Sequence, residues 1–300
     1  MPSPASADVP VTAAPPDEPS PVDGWSGGLA QLRAELDRID DALHDQLMRR
    51  ATVVERVARA GKRGAYRPGR EAAIIRRLLA RHSGGLPPQT IVRIWRELLA
   101  GTTAMQGAFN VTVCQTAAAT GYIQLAREHF GALTPVHAYG SPAQAMAEVS
   151  RGAASVAVLP LPSQTDTMRD AWWTAMLQNE QPRTYIVACL PFWAPRPEGL
   201  PATQALVLAT TEPDASGHDR SLLSLELDAG ISRARLAAAL TKAGFAPGSI
   251  ILRRDTVAQA LVEIDGFLTD DDPRLGRLGP ALRQPLVLGV YAVPIDGGAA

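Results

Sequence analysis

The chain is poor in the residues that build covalent or metal-held frameworks. It has two cysteines in 300 residues, Cys114 and Cys189, too few for a disulfide framework and without a C-x-x-C pair. Both stand in apolar runs, where a thiol behaves as a small buried hydrophobe. The five histidines, His44, His82, His129, His137 and His218, are scattered and never recur at ligand spacing on one helix face, so no metal is expected. No window approaches 18 consecutive apolar residues, which excludes a membrane-spanning helix. The start has no basic stretch before an apolar core, so it does not read as a signal peptide, and a cytoplasmic protein is expected. The apolar fraction, 46%, is ample for buried cores.

The formal charge of -1 hides an uneven distribution. Residues 1–23 carry four acids and no base, residues 24–107 carry 15 Lys/Arg against 8 Asp/Glu, and the remainder carries 14 against 18. A basic module inside a near-neutral chain points to an anionic partner: nucleic acid, a membrane surface or an anionic small molecule. Residues 1–23 are rich in Pro, Ala, Ser and acids and read as a disordered tail. From Leu29 apolar residues recur at three and four: Leu29, Leu32, Leu36, Ile39, Leu43, Leu47, Val54 and Val57 form one stripe along a long helix, ended by Gly61, Gly64 and Pro68. A second helix opens near Pro68, with Ile74, Ile75, Leu78 and Leu79 on one face. A third runs from about Gln89 to Gln106, with Ile91, Ile94, Trp95, Leu98 and Leu99 turned inward. Two short helices cannot cover so long a first one, which implies a dimer in which long helices pair.

After Phe109 the pattern changes to strand 110–114, helix 118–130, strand 134–139, helix 141–151 and strand 154–159, an open α/β layer. Runs 184–191 and 204–210 add strands. From 221 the expected order is strand 221–227, helix 232–243, strands 249–254 and 257–264, helix 273–283 and strand 286–292, a ferredoxin-like βαββαβ unit.

Within the helical module, polar residues fall on apolar faces. Arg50 follows Leu47 by three and precedes Val54 by four; Arg33 lies at the edge of the same stripe. Glu71 precedes Ile74, Ile75 and Leu78 at helical spacing, and Thr102 and Gln106 continue the third helix's face. A buried guanidinium is costly unless paired. One such residue reads best as a satisfied polar network; five together, in a basic module, read as a buried site for a small anion. Their inward direction disfavours nucleic acid, which needs an exposed basic face.

Leu32-Arg33, Arg50 seventeen residues on, Arg70-Glu71 opening the second helix, and Thr102 and Gln106 near the end of the third resemble the all-helical chorismate mutases. The resemblance spans about 80 residues of residues 24–107. It implies an intertwined homodimer with shared sites, the substrate chorismate rearranged to prephenate in aromatic amino-acid biosynthesis, and no cofactor. Arg33 from the partner chain and Arg50 would clamp the two carboxylates. Glu71 would accept from the ring hydroxyl, Thr102 would keep a hydroxyl near a carboxylate where the family often has serine, and Gln106 would donate to the ether oxygen. Arg70 would orient the site or the helix start. The family's second ether-oxygen donor is a lysine eleven residues after the Arg50 position; Gly61 stands there, and Lys62, one residue on, takes the role, with Arg59 and Arg63 as alternatives.

The later two thirds resemble the bifunctional chorismate mutase–prephenate dehydratases, which end in an ACT domain. The implied fold is α plus α/β and α+β: a three-helix intertwined mutase module at 24–107, a truncated, degenerate dehydratase-like α/β layer (a periplasmic-binding-like lobe) at 108–215, and an ACT-like unit at 216–300. Pro182-Arg183-Thr184 stands where the dehydratases carry Thr-Arg-Phe, and about 20 residues separate Leu161 from Pro182 where they have about 100 forming a second lobe. Dehydratase activity is therefore not expected. An ACT-like unit implies an amino-acid effector, but Leu252-Arg253-Arg254-Asp255 replaces the usual Glu-Ser-Arg-Pro. Two competing readings stand beside the mutase: a non-catalytic regulatory or interaction protein with a decayed mutase site, and a bifunctional mutase–dehydratase.

Overall fold

The computed structural model describes residues 28–60, 66–116, 120–178, 181–200, 202–255 and 257–297. The expected tail at 1–23 and Lys62 lie outside the described residues. The chain divides after Thr52 into two units. The first is formed by most of helix α1 (Leu29–Arg59), 31 residues or about 46 Å of helix. The expected stripe is present, but α1 has no buried residue, and Leu36 and Leu43 are 59% and 58% exposed.

The second unit opens with α2 (Pro68–Leu79) and α3 (Pro88–Ala104), both starting at a proline whose fixed φ suits the first turn. No side chain of its own caps α2. Asp214, far along the chain, accepts instead from the backbone N–H of Gly69 (3.0 Å) and Arg70 (3.2 Å) and from Arg67 Nη2 (3.1 Å). Gly69 makes this approach possible: a Cβ there would lie 1.9 Å from the Asp214 carbonyl oxygen. Ala72, Ile75, Val92 and Leu99 of the two helices pack with Phe192 and Ala292.

A nine-stranded mixed sheet follows. Its strands in chain order are β1 (Val111–Cys114), β2 (Val136–Tyr139), β3 (Val156–Pro160), β4 (Tyr185–Leu190), β6 (Ala205–Ala209), β7 (Asp219–Leu227), β8 (Pro247–Arg254), β9 (Ala258–Asp265) and β10 (Leu282–Ala292); β5 (Trp193–Ala194) and β11 (Ile295–Asp296) form a separate two-stranded ribbon. The order is β2-β1-β3-β6-β4-β10-β7-β9-β8. β1 is parallel to β2 and β3, joined through α4 (Tyr122–Phe130) and α5 (Pro142–Ser150). Period two explains why β3 is buried on both faces from Val156 to Leu159. Val156 and Val158 face the cluster with α4, while Ala157 and Leu159 face the one with α5 and Trp172 and Trp173.

β10-β7-β9-β8 is the strand order of a βαββαβ unit, with α6 (Arg233–Ala243) on one face, as the sequence predicts. The predicted helix 273–283 is different: only a 3₁₀ turn, Leu275–Arg277, forms. Gly276, Gly279 and Pro280 supply too little helix propensity and block continuation. The two halves of the sheet meet where Gly289 of β10 lies beside Ile186 of β4. Its φ of 152° and a virtual Cβ 2.1 Å from the Ile186 carbonyl oxygen leave room for glycine alone. No described helix is long and apolar enough to cross a membrane.

Candidate functional site

The first turn of α2 carries Glu71 inward, where it is 9% exposed. Arg96, one turn past Val92 on α3 and 4% exposed, donates from Nη1 to Glu71 Oε2 at 3.1 Å. The same Nη1 lies 3.4 Å from His129 Nε2 of α4, and the guanidinium carbon sits 4.7 Å from the centre of the Phe192 ring. Tyr66 closes the cluster, its ring against Phe109 and Phe130 and its buried hydroxyl without a hydrogen-bond partner.

Burial dominates the electrostatics. It lowers the Arg96 guanidinium from its ordinary range, a shift that neighbouring Glu71 opposes. It holds His129 well below the usual imidazole value, helped by the positive Arg96, so the ring is neutral. Tyr66 is pushed well above the ordinary phenol range by burial and then by the Glu71 charge. A buried ion pair of this kind is weak evidence for net stability but fixes geometry, because either partner alone is costly.

The predicted site residues are dispersed between the two units. Arg33 is exposed and Arg50 half-buried on α1. Arg70 is exposed at the start of α2, where its backbone N–H reaches Asp214. Glu71 is brought into the polar cluster. Thr102 is buried on α3, its hydroxyl donating to the carbonyls of Leu98 (2.9 Å) and Leu99 (3.1 Å). Gln106 Nε2 donates to the Thr102 carbonyl at 3.0 Å, satisfying one of the orphan acceptors at the helix end. Both amide and hydroxyl donors thus serve helix carbonyls in the single chain.

Arg96, His129 and Tyr66 were not singled out by the sequence. The expected face of α3 was Ile91, Ile94, Trp95, Leu98 and Leu99, continued by Thr102; Leu99 and Thr102 are buried as expected, but the rest of the buried stripe is Val92, Arg96 and Thr103. Ile91, Trp95 and Leu98 are half-buried and Ile94 is 47% exposed. Arg96 falls at i+4 from Val92 and i−3 from Leu99, a spacing that could have revealed it. Arg183, in the altered Pro182-Arg183-Thr184 triplet, pairs with Asp270 at 2.6 Å, donates to the Val287 carbonyl and stacks on Tyr185. It ties β4 to the following half of the sheet. Among the described residues no group of three His, Cys, Asp or Glu gathers as a metal centre would require.

Comparison with known proteins places the helical region. The family described as Chorismate mutase type II matches residues 32–107, the span of α1 to α3. A bifunctional chorismate mutase/prephenate dehydratase of Stutzerimonas stutzeri is 25% identical over 146 residues, 46% of this chain and 40% of that protein. The Pseudomonas aeruginosa protein of the same description is 26% identical with the same coverage. The chain therefore spans about two fifths of the length of the curated relatives it matches. Among solved structures, prephenate dehydratase from Streptococcus mutans aligns at 12% identity with a TM-score of 0.44, over 61% of this chain and 97% of that one.

Proposed function

We propose that this chain is a chorismate mutase, converting chorismate to prephenate in aromatic amino-acid biosynthesis. The observation that carries the reading is the family match over residues 32–107, which coincides with three consecutive helices bearing Arg33, Arg50, Glu71 and Thr102, and with the turn after them that bears Gln106.

The reaction is an intramolecular rearrangement: one C–O bond breaks, one C–C bond forms, and no group leaves. Catalysis reduces to holding the reactive conformer and aiming fixed donors at the ether oxygen as charge grows there. In our reading Arg50 and the partner's long helix, through its Arg33 position, clamp the two carboxylates. Glu71, held in place by Arg96, accepts from the ring hydroxyl. Gln106 swings from the Thr102 carbonyl to the ether oxygen, with Lys62 as second donor, Thr102 keeping a hydroxyl near a carboxylate and Arg70 orienting the site. The homodimer this requires is supported by the uncovered apolar stripe of α1, which a second copy would bury. We divide the chain into mutase module (24–107), degenerate dehydratase-like layer (108–215) and ACT-like unit (216–300), and place it in the cytoplasm. An amino-acid effector would bind at the ACT-like unit.

The competing reading, a regulatory protein with a decayed mutase site, draws on the same donors: Thr102 and Gln106 are turned to helix carbonyls. One assay separates the readings. Purified protein should consume chorismate, followed by its ultraviolet absorbance, and Arg50→Ala should abolish the signal; no consumption by the native chain supports decay. Added prephenate should not become phenylpyruvate; enzyme-dependent phenylpyruvate would instead support the bifunctional reading.

A further inference from the structure

Between α3, α4 and the turn following β4 lies a cavity of about 70 Å³. Val92, Leu125, Phe192 and Trp193 form its apolar wall, and Arg96, Arg196 and His129 its polar one. Each of the two arginines spends only part of its donor set. Both Arg96 contacts leave from Nη1, and its buried Nε has no acceptor. Both Arg196 contacts leave from Nη2, to the Glu128 carboxylate at 3.0 and 2.8 Å, and its Nε is likewise buried without a partner. Both Nε atoms are closed off from the cavity, but Arg96 Nη2 and Arg196 Nη1 make no hydrogen bond among the described residues, and such donors left over beside one cavity call for an acceptor.

Charge and size narrow that acceptor. Arg96, Arg196 and Arg93 line the cavity; Glu71 and Glu128 oppose them, and His129 is neutral, leaving a surplus of one positive charge. The two oxygens of a planar carboxylate can accept one hydrogen bond from each of the two guanidiniums, and the apolar wall suits a short hydrocarbon body. The volume holds about six non-hydrogen atoms.

We propose that this cavity is a binding site for a compact monocarboxylate with a short apolar body, separate from the residues assigned to chorismate. Because Arg96 also holds Glu71, occupancy would be felt at the mutase residues, and by linkage the coupling is reciprocal. That consequence rests on the mutase reading; binding itself does not.

The test is ligand-observed NMR on the full chain with propionate, propionamide and inorganic phosphate. Propionate should bind saturably, propionamide should not, and phosphate should bind at least tenfold more weakly. Arg196→Gln, at a half-buried position, should weaken propionate roughly tenfold or more while circular dichroism stays native. Absence of saturable propionate binding, equal affinity for phosphate, or an unchanged affinity in Arg196→Gln would overturn the proposal. Chorismate turnover measured on the same samples keeps the two readings apart: a chain that binds propionate but does not turn over chorismate fails only the mutase assignment.

Discussion

Arg96→Met probes the polar cluster most directly. The Arg96 and Glu71 side chains are 5% and 12% exposed and meet at 3.1 Å. Methionine fills much of the same volume but removes the guanidinium, leaving the Glu71 carboxylate buried without it. Breaking one side of a buried pair costs about 3–5 kcal/mol. Glu71→Gln keeps an oxygen that can accept from Nη1 but removes the charge, and should cost about 1.5–3 kcal/mol, the worth of a hydrogen bond to a charged group. The two single changes remove one shared contact, so the double variant's loss should fall short of the sum by about 0.5–3 kcal/mol. Urea unfolding followed by far-ultraviolet circular dichroism measures all three. Against a total stability of about 5–15 kcal/mol the single changes shift the midpoint plainly. Losses below about 1 kcal/mol for each single variant, the value of an exposed ion pair, or strict additivity would refute the argument.

His129 makes stability fall in acid. The unfolded chain takes up a proton near pH 6.5 that the native chain refuses, so stability is full above that value and declines as pH drops through it, by up to about 1.4 kcal/mol per unit; His129→Gln should flatten the urea midpoint against pH. Gly69→Ala forces a Cβ against the Asp214 carbonyl and should cost about 1–3 kcal/mol; an unchanged melting temperature would show that the α2–Asp214 junction is loose. Gln106→Ala should slow chorismate turnover about 100-fold, while Gln106→Glu, a donor only when protonated, should be active only in acid; Lys62→Ala in the same assay tests the second donor. Leu36→Glu with Leu43→Glu should leave sedimentation showing a monomer, and an intact dimer would remove the α1 stripe from the interface.

Helix and strand periods were legible to within a few residues. The long stripe from Leu29 to Val57 is α1, and the buried strand expected at 154–159 is β3, buried from Val156 to Leu159. Failure came where local chemistry overrides period. At 273–283 the leucines keep a helix-like spacing, but Gly276, Gly279 and Pro280 leave only one 3₁₀ turn. The joint at Gly289 could not be read at all, because its need for glycine comes from Ile186, a hundred residues earlier in the chain.

The face of α3 shows why the candidate site was only half visible. Counting apolar residues selects Ile91, Ile94, Trp95, Leu98 and Leu99, of which only Leu99 is on the buried stripe, whose centre lies about one residue on, roughly 100° around the helix. The count treats arginine as a surface residue, so it discards Arg96, the side chain that gives Glu71 a reason to be buried. Glu71 was found because its neighbours are apolar; its partner was missed because it is charged. An acid on an apolar stripe therefore implies a base on the helix facing it, at a position whose i−4 and i+3 neighbours are apolar. Val92 and Leu99 meet that condition for Arg96. The discarded face also keeps a meaning: with Ile94 47% exposed and Ile91, Trp95 and Leu98 half-buried, α3 has apolar surface left over after folding, as α1 does. Burying Arg96 inward is what turns that surface outward, so in the proposed dimer the same rotation that anchors Glu71 also presents α3 to the second copy.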